Sequence, residues 1–318
     1  MGLALEQRSR WRNILQSTSI LILMAAILGV LGWLIGGLTG LFWTAVIGMM
    51  LFVFTPKITP GVVLRMYNAS PIQENELPGL CHLVKSLSRK AGLKYVPGMY
   101  YIPSRVMNAF SVGSRDDAVI ALSDGLLRSM SRREIAGILA HELNHIRHND
   151  LWIMQMADNM SRITHSMSMV GQVMLLLFLP FYFAAGTSVP WLIILFLIIA
   201  PLMSMLLQMA LSRTREYDAD LGALQITGDP EGLASALQKL EVYQKKLIDL
   251  LVMPGRKNPD PSLLRSHPHT ENRLERLYKL GEQHQSLKEV DVPGEDILSG
   301  RYSPVRDKPR WKWWGGWY

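Results

Sequence analysis

Two long stretches without charge constrain this chain more than anything else in it. Between Arg12 and Lys57 there is no Asp, Glu, Lys or Arg, and between Arg162 and Arg213 the only histidine or charged side chain is His165. A hydrocarbon layer about 30 Å thick is crossed by about 20 helical residues, so each stretch is long enough for two crossings. Each also breaks near its middle, the first at Gly36-Gly37 with Thr39-Gly40, the second at Gly186-Thr187-Ser188-Val189-Pro190. The expectation is about four transmembrane helices in two hairpins, 17–55 and 166–210. Pro180 and Pro201 fall inside the second pair, where a membrane bundle tolerates the kinks they cause.

Two other readings compete. Arg8, Arg10 and Arg12 precede an apolar stretch as they would in a signal peptide, but no small-x-small cleavage site follows and the apolar run continues. A buried hairpin of a soluble core is disfavoured by the near-continuous Leu, Ile, Phe and Met. Composition agrees with a lipid environment, at 49% hydrophobic and 19% charged residues.

A net charge of +7 would suit nucleic acid, but the cations are placed otherwise. Arg8, Arg10 and Arg12, then Lys57 and Arg65, then Arg162, Arg213 and Arg215 flank the outer ends of the apolar runs, and both turns are uncharged. By the positive-inside rule the polar segments face the cytoplasm, and nucleic acid is not an expected partner. The single Cys81 can form neither an internal disulfide nor a CxxC motif, and reads as a small buried apolar residue.

In the polar segments, Leu77, Leu80, Leu83, Val84 and Leu87 recur at helical spacing between about Pro71 and Gly92. Three β-prone stretches follow, at 99–102, 106–112 and 118–122, separated by turn residues. Ser131-Arg132-Arg133-Glu134 fits a capping box. The helix it starts carries Ile135, Ile138, Leu139, Leu143 and Ile146 on its apolar side and is expected to run on toward the second hairpin. Further helices are expected at about 212–226, 230–247 and 270–281, with Gly228-Asp229-Pro230 as a break.

The capped helix contains His141-Glu142-Leu143-Asn144-His145. Two histidines four residues apart project from one helical face and can bind one zinc ion, and Glu142 stands beside the first as a general base for the attacking water. The bland alternative is an amphipathic helix with two surface histidines. A metzincin would need a glycine and a third histidine where this chain has His148 and Leu151. The other common third ligand is a glutamate on a later helix, and Glu216 in Ser212-Arg213-Thr214-Arg215-Glu216-Tyr217-Asp218-Ala219-Asp220 is placed for it. Asp220, one turn on, is a candidate for orienting a ligand histidine. His148 lies roughly 10 Å along the axis from His141, so it and Asp150 are left out of the ligand set as surface or structural residues.

HELNH, a hydrophobic hairpin and then SRTREYDAD together resemble the HtpX-type membrane zinc endopeptidases, relatives of the CAAX prenyl proteases, over nearly the whole chain. The resemblance implies a mainly α, α+β zincin-like catalytic domain with a small β-sheet and one zinc ion per subunit. It implies protein or peptide substrates, damaged or misassembled membrane proteins among them, cleaved at the cytoplasmic face of a bacterial inner membrane. Asn108-Ala109-Phe110 is similar to the family's edge strand over the cleft, which makes Asn108 a candidate substrate contact. Ser266-His267-Pro268 with Arg273 resembles the family's late His-Pro element, so His267 and Arg273 become candidates for contacting substrate or transition state. His269 stands where a second proline is usual, which leaves open which histidine acts.

The organisation that follows is a basic cytoplasmic N-terminus (1–16), a hairpin (17–55), a first catalytic part (56–165), a second hairpin (166–210), a second catalytic part (211–292) and a Trp-rich tail (293–318). The tail reads either as a membrane-surface anchor or as a disordered end. A prenyl-protein protease would have more spans. A scaffold with a structural zinc would close the fourth metal position and leave Glu142 without a task.

Overall fold

The computed structural model describes residues 2–54, 60–186, 188, 190–252, 270–283, 311–312 and 316–317. The chain divides into two compact units, one mainly of Met1–Pro56 and Trp152–Thr214, the other mainly of Lys57–Leu151 and Arg215–Ser262 with the chain from Pro268 on.

In the first unit the opening apolar run forms α1 (Gly2–Phe54), whose backbone leaves the helical region at Gly36 (φ −139°, ψ 18°) and Gly37 (φ 60°, ψ −143°). The second value is one that glycine adopts freely and side-chain-bearing residues do not. The halves fold back on each other: a Cβ at Gly40 would collide with the Gly32 carbonyl, and one at Gly32 with the Thr44 hydroxyl. Small residues here let two backbones touch, as helix pairs do in lipid.

Two further long helices, α6 (Asp150–Ala184) and α7 (Trp191–Thr227), are, with 14–50 of α1, the three stretches among the described residues long and apolar enough to cross a membrane. Leu38, Trp191 and Leu192 are more than 70% exposed, as side chains meant for lipid are. Inside, Ile27 and Leu31 pack on Leu197 and Ala200, and Met24 on Ala157 and Leu211. Pro201 has no N–H for the Leu197 carbonyl four residues earlier. Ser168 and Gln172 of α6 donate to that carbonyl instead, so it is not left unsatisfied.

The second unit is built on a four-stranded mixed sheet of order β1-β2-β4-β3, with β1 Ser70–Pro71, β2 Gly98–Ile102, β3 Ala109–Val112 and β4 Val119–Ser123. β2 and β4 run parallel in the register Gly98↔Val119 to Ile102↔Ser123, and among the described residues β3 pairs with β4 alone, antiparallel, so β3 is an edge of the described sheet. Two short helices, α2 (Pro60–Met66) and α4 (Asp124–Ser129), flank the sheet segments. The helix expected from about 71 is α3 (Pro78–Lys90), which starts late because Pro71 lies in β1 and Pro78 sets the first helical turn.

Ser131 caps α5 (Arg132–His148): its hydroxyl accepts from Glu134 N, and the Glu134 carboxylate accepts from Ser131 N at 2.6 Å. The same carboxylate accepts from Ser235 and Lys239 of α8 (Pro230–Val252), which ties the start of α5 to that helix. Leu80, Leu83, Leu87, Ile120, Leu122, Ile135, Leu139 and Leu143 form the dry centre, each 1% exposed or less. Gly137 permits the approach of α8, since a Cβ there would stand 2.9 Å from the Leu233 Cα. The last long helix is α9 (Thr270–Gln283), and β5 (Trp311–Lys312) pairs antiparallel with β6 (Gly316–Trp317).

One expectation is corrected. α5 does not run on into the second hairpin: Asn149 takes a left-handed conformation (φ 57°, ψ 34°), ends α5, and α6 begins at the next residue.

Candidate active site

The apolar face of α5 is spent on the core, and this turns His141 and His145 together toward α7. Their Nε2 atoms are 3.2 Å apart with the rings edge to face, and Glu216 Oε2 of α7 lies 3.5 Å from His141 Nε2. One donor atom from each of the three lies within 4.8 Å of the others. The middle of the motif docks the second helix: Asn144, fully buried, donates through Nδ2 to the Asp218 carbonyl at 3.0 Å. Gly222, one turn beyond, leaves the space that the Asn144 carboxamide fills.

Behind His141, Asp220 Oδ1 stands 3.1 Å from Nδ1. Arg273 of α9 grips both Asp220 oxygens, Nε to Oδ2 at 2.7 Å and Nη2 to Oδ1 at 2.6 Å, and reaches Glu216 Oε2 at 3.1 Å. Arg273 is 6% exposed, and in this position it braces Asp220 and Glu216 from behind the cluster. His267 lies outside the described residues. His148 turns its Nδ1 to the Asn144 carbonyl at 3.0 Å and does not join the cluster.

Two residues were missed by sequence reasoning. Asp150, set aside as a surface or structural residue, is 1% exposed and holds Oδ2 2.9 Å from His145 Nδ1. Ser111 of β3 donates its hydroxyl to Glu142 Oε2 at 2.7 Å. Helical periodicity could reveal neither. Asn108, just before β3, has its backbone tied to Ser123 in both directions, which fixes where the edge strand begins, and its side chain is half-buried.

The electrostatics ask for a cation. Burial lowers the affinity of the His141 ring for a proton, yet Asp220 and Glu216 outweigh it and push the pKa up to about 10. The donors also have suitable spacing for an ion. Bonds of about 2.0–2.1 Å in a tetrahedron place neighbouring donors about 3.3 Å apart. The observed separations are 3.2 and 3.5 Å.

Two histidines and a glutamate converging on one point, with a second glutamate between the histidines in sequence and an edge strand alongside, define a metallopeptidase. The chain belongs to peptidase family M48, whose model matches residues 75–280. It is 33% identical over 286 residues to a protease HtpX homolog of Paraburkholderia phytofirmans, covering 84% of this chain and 97% of that one. A protease HtpX homolog of Campylobacter curvus is 32% identical over 293 residues, 85% of this chain and 98% of the relative. The crystal structure of S. mikatae Ste24p aligns with a TM-score of 0.43 and 22% identity, over 85% of this chain and 66% of that one. The chain is therefore a metalloendopeptidase of the HtpX type, and its long apolar helices make it a membrane protein.

Proposed function

We propose that this protein is an integral-membrane zinc endopeptidase that cleaves membrane or misfolded proteins at the cytoplasmic face of a bacterial inner membrane, within membrane-protein quality control. The observation that carries it is the convergence of His141, His145 and Glu216 beside Glu142 and the edge strand β3. Two imidazoles and a carboxylate suit zinc, with further positions left for water and substrate.

His141, His145 and Glu216 would hold the ion, which would supply Lewis-acid polarisation to the scissile carbonyl and the attacking water. Glu142 takes the proton of that water and returns it to the leaving amine nitrogen. An extended substrate adds through its backbone to the edge of β3 that no described strand covers, which favours sequence-tolerant cleavage of unfolded segments over recognition of one peptide. Asn108, at the start of that edge, is a candidate substrate contact, and His267 remains a candidate donor to the developing oxyanion.

Counting α1 as two crossings gives four spans, and the flanking cations put both inter-helix turns on the far side. Reporters fused near Gly37 and Gly186 then both read non-cytoplasmic, and a cytoplasmic reading at either turn contradicts the topology. The activity is tested by incubating purified protein with an unfolded membrane protein and with a prenylated peptide, after chelation and after zinc restoration. Zinc-dependent cleavage of the unfolded protein is expected. Cleavage of the prenylated peptide alone contradicts the substrate class.

A further inference from the structure

Each histidine of the cluster is backed by a carboxylate that is itself gripped by an arginine. Behind His141 these are Asp220 and Arg273. Behind His145 they are Asp150, the first residue of α6, and Arg215, whose Nη1 donates to Asp150 Oδ1 at 3.2 Å. Asp150 is 1% exposed and Arg215 6%.

Three features connect the second arrangement to the site. On an uninterrupted helix a residue five positions on lies about 140° around the axis, out of reach. The left-handed Asn149 breaks the helix between His145 and Asp150 and lets the carboxylate return to the Nδ1 it would otherwise point away from. Asn accepts this conformation more readily than other side-chain-bearing residues. Next, a buried ion pair is a poor way to gain stability, because desolvating both charges costs about as much as their attraction returns. An Asp–Arg pair kept in such a place calls for a task beyond packing. Last, Arg215 directly precedes Glu216, so one backbone segment carries both the third ligand and the guanidinium that fixes the carboxylate behind the second.

We propose that Asp150 and Arg215 are positioning residues for His145. Asp150 accepts the Nδ1–H, which fixes the ring's orientation and tautomer and leaves Nε2 as the lone pair facing the other two donors. Arg215 fixes the carboxylate and couples the setting of His145 to the placement of Glu216. The proposal rests on the reading of His141, His145 and Glu216 as metal ligands.

The test uses the full chain in detergent and compares wild type, His145→Ala, Asp150→Asn and Arg215→Gln. Zinc affinity is read by competition with a chromogenic chelator, and ligand geometry by the visible bands of the cobalt(II) form. Kinetics separate kcat from KM. Asp150→Asn and Arg215→Gln are expected to weaken zinc about 10–100-fold, alter the cobalt bands and lower kcat at constant KM. Wild-type zinc affinity and cobalt bands in both variants overturn the proposal, even if the metal-free form melts earlier. Should Asp150→Asn fail to fold, Asp150→Glu and Arg215→Lys, which keep both charges, decide the matter by the same readouts. Failure of the underlying reading looks different: the wild type then binds no zinc, or His145→Ala binds it as tightly as wild type does.

Discussion

The Ser111 hydroxyl donates to Glu142 Oε2 at 2.7 Å, which joins the edge strand to the carboxylate proposed as general base. The bond fixes one oxygen of Glu142 and leaves the other for the attacking water. Because a hydrogen bond to a charged group is worth about 1.5–3 kcal/mol, Ser111→Ala is expected to lower kcat about tenfold or more. KM and zinc content stay at wild-type values, and Ser111→Thr restores most of the rate. An unchanged kcat in Ser111→Ala makes the bond incidental.

The pKa of His141, pushed up to about 10, sets a pH dependence. A protonated ring cannot be a ligand, so zinc must displace the proton, and its affinity rises by up to about tenfold per pH unit below that value. For the metal-free protein the sign is the opposite. A raised pKa contributes stability that is fully present below the ordinary value near 6.5 and is lost as the pH rises through about 10. Chelator competition at increasing pH, with melting of the metal-free form alongside, checks both trends. Affinity that does not change with pH contradicts the expectation.

Glu134 gives an acid-side prediction. Burial pushes its pKa up, but Lys239, Ser235 and the Ser131 backbone together hold it below the usual carboxylate value. Its contribution is therefore present above about pH 4.5 and lost as the pH falls through the depressed folded value. Glu134→Gln should cost about 1–3 kcal/mol at pH 7, and the gap to wild type should narrow under acid. Thermal unfolding of both proteins across that range reads it, and a constant gap is the contrary result.

Gly222→Ala puts a methyl group into the space of the Asn144 carboxamide, a buried side chain held by its bond to the Asp218 carbonyl. The expected consequence is displacement of α7 and with it Glu216. Zinc binding should weaken by about tenfold or more while the helical content by circular dichroism stays close to wild type. Wild-type zinc affinity in this variant shows that the contact does not set the ligand's place.

How much of this was legible in the chain depends on how local each signal is. The capping box of Ser131 and Glu134, the four-residue spacing of His141 and His145 and the one-turn spacing of Glu216 and Asp220 are all contained within a single helix, and periodicity carries them. The break at Gly36-Gly37 was equally local. Asp150 was hidden because one left-handed residue, Asn149, undoes the periodicity that the reading relied on. Ser111 meets Glu142 across 31 residues of chain, through the packing of a strand on a helix, which no spacing rule encodes. Arg273 was placed near the site by its motif, but the motif does not say that its guanidinium faces the Asp220 and Glu216 carboxylates.

In the proposed mechanism Glu142 acts as the base beside a metal held by His141, His145 and Glu216. Zinc content and cleavage of an unfolded protein substrate, measured together on Glu142→Gln, test it most directly. Wild-type zinc with proteolysis reduced by at least about a hundredfold is the expected result. Undiminished proteolysis by the zinc-loaded variant would contradict it.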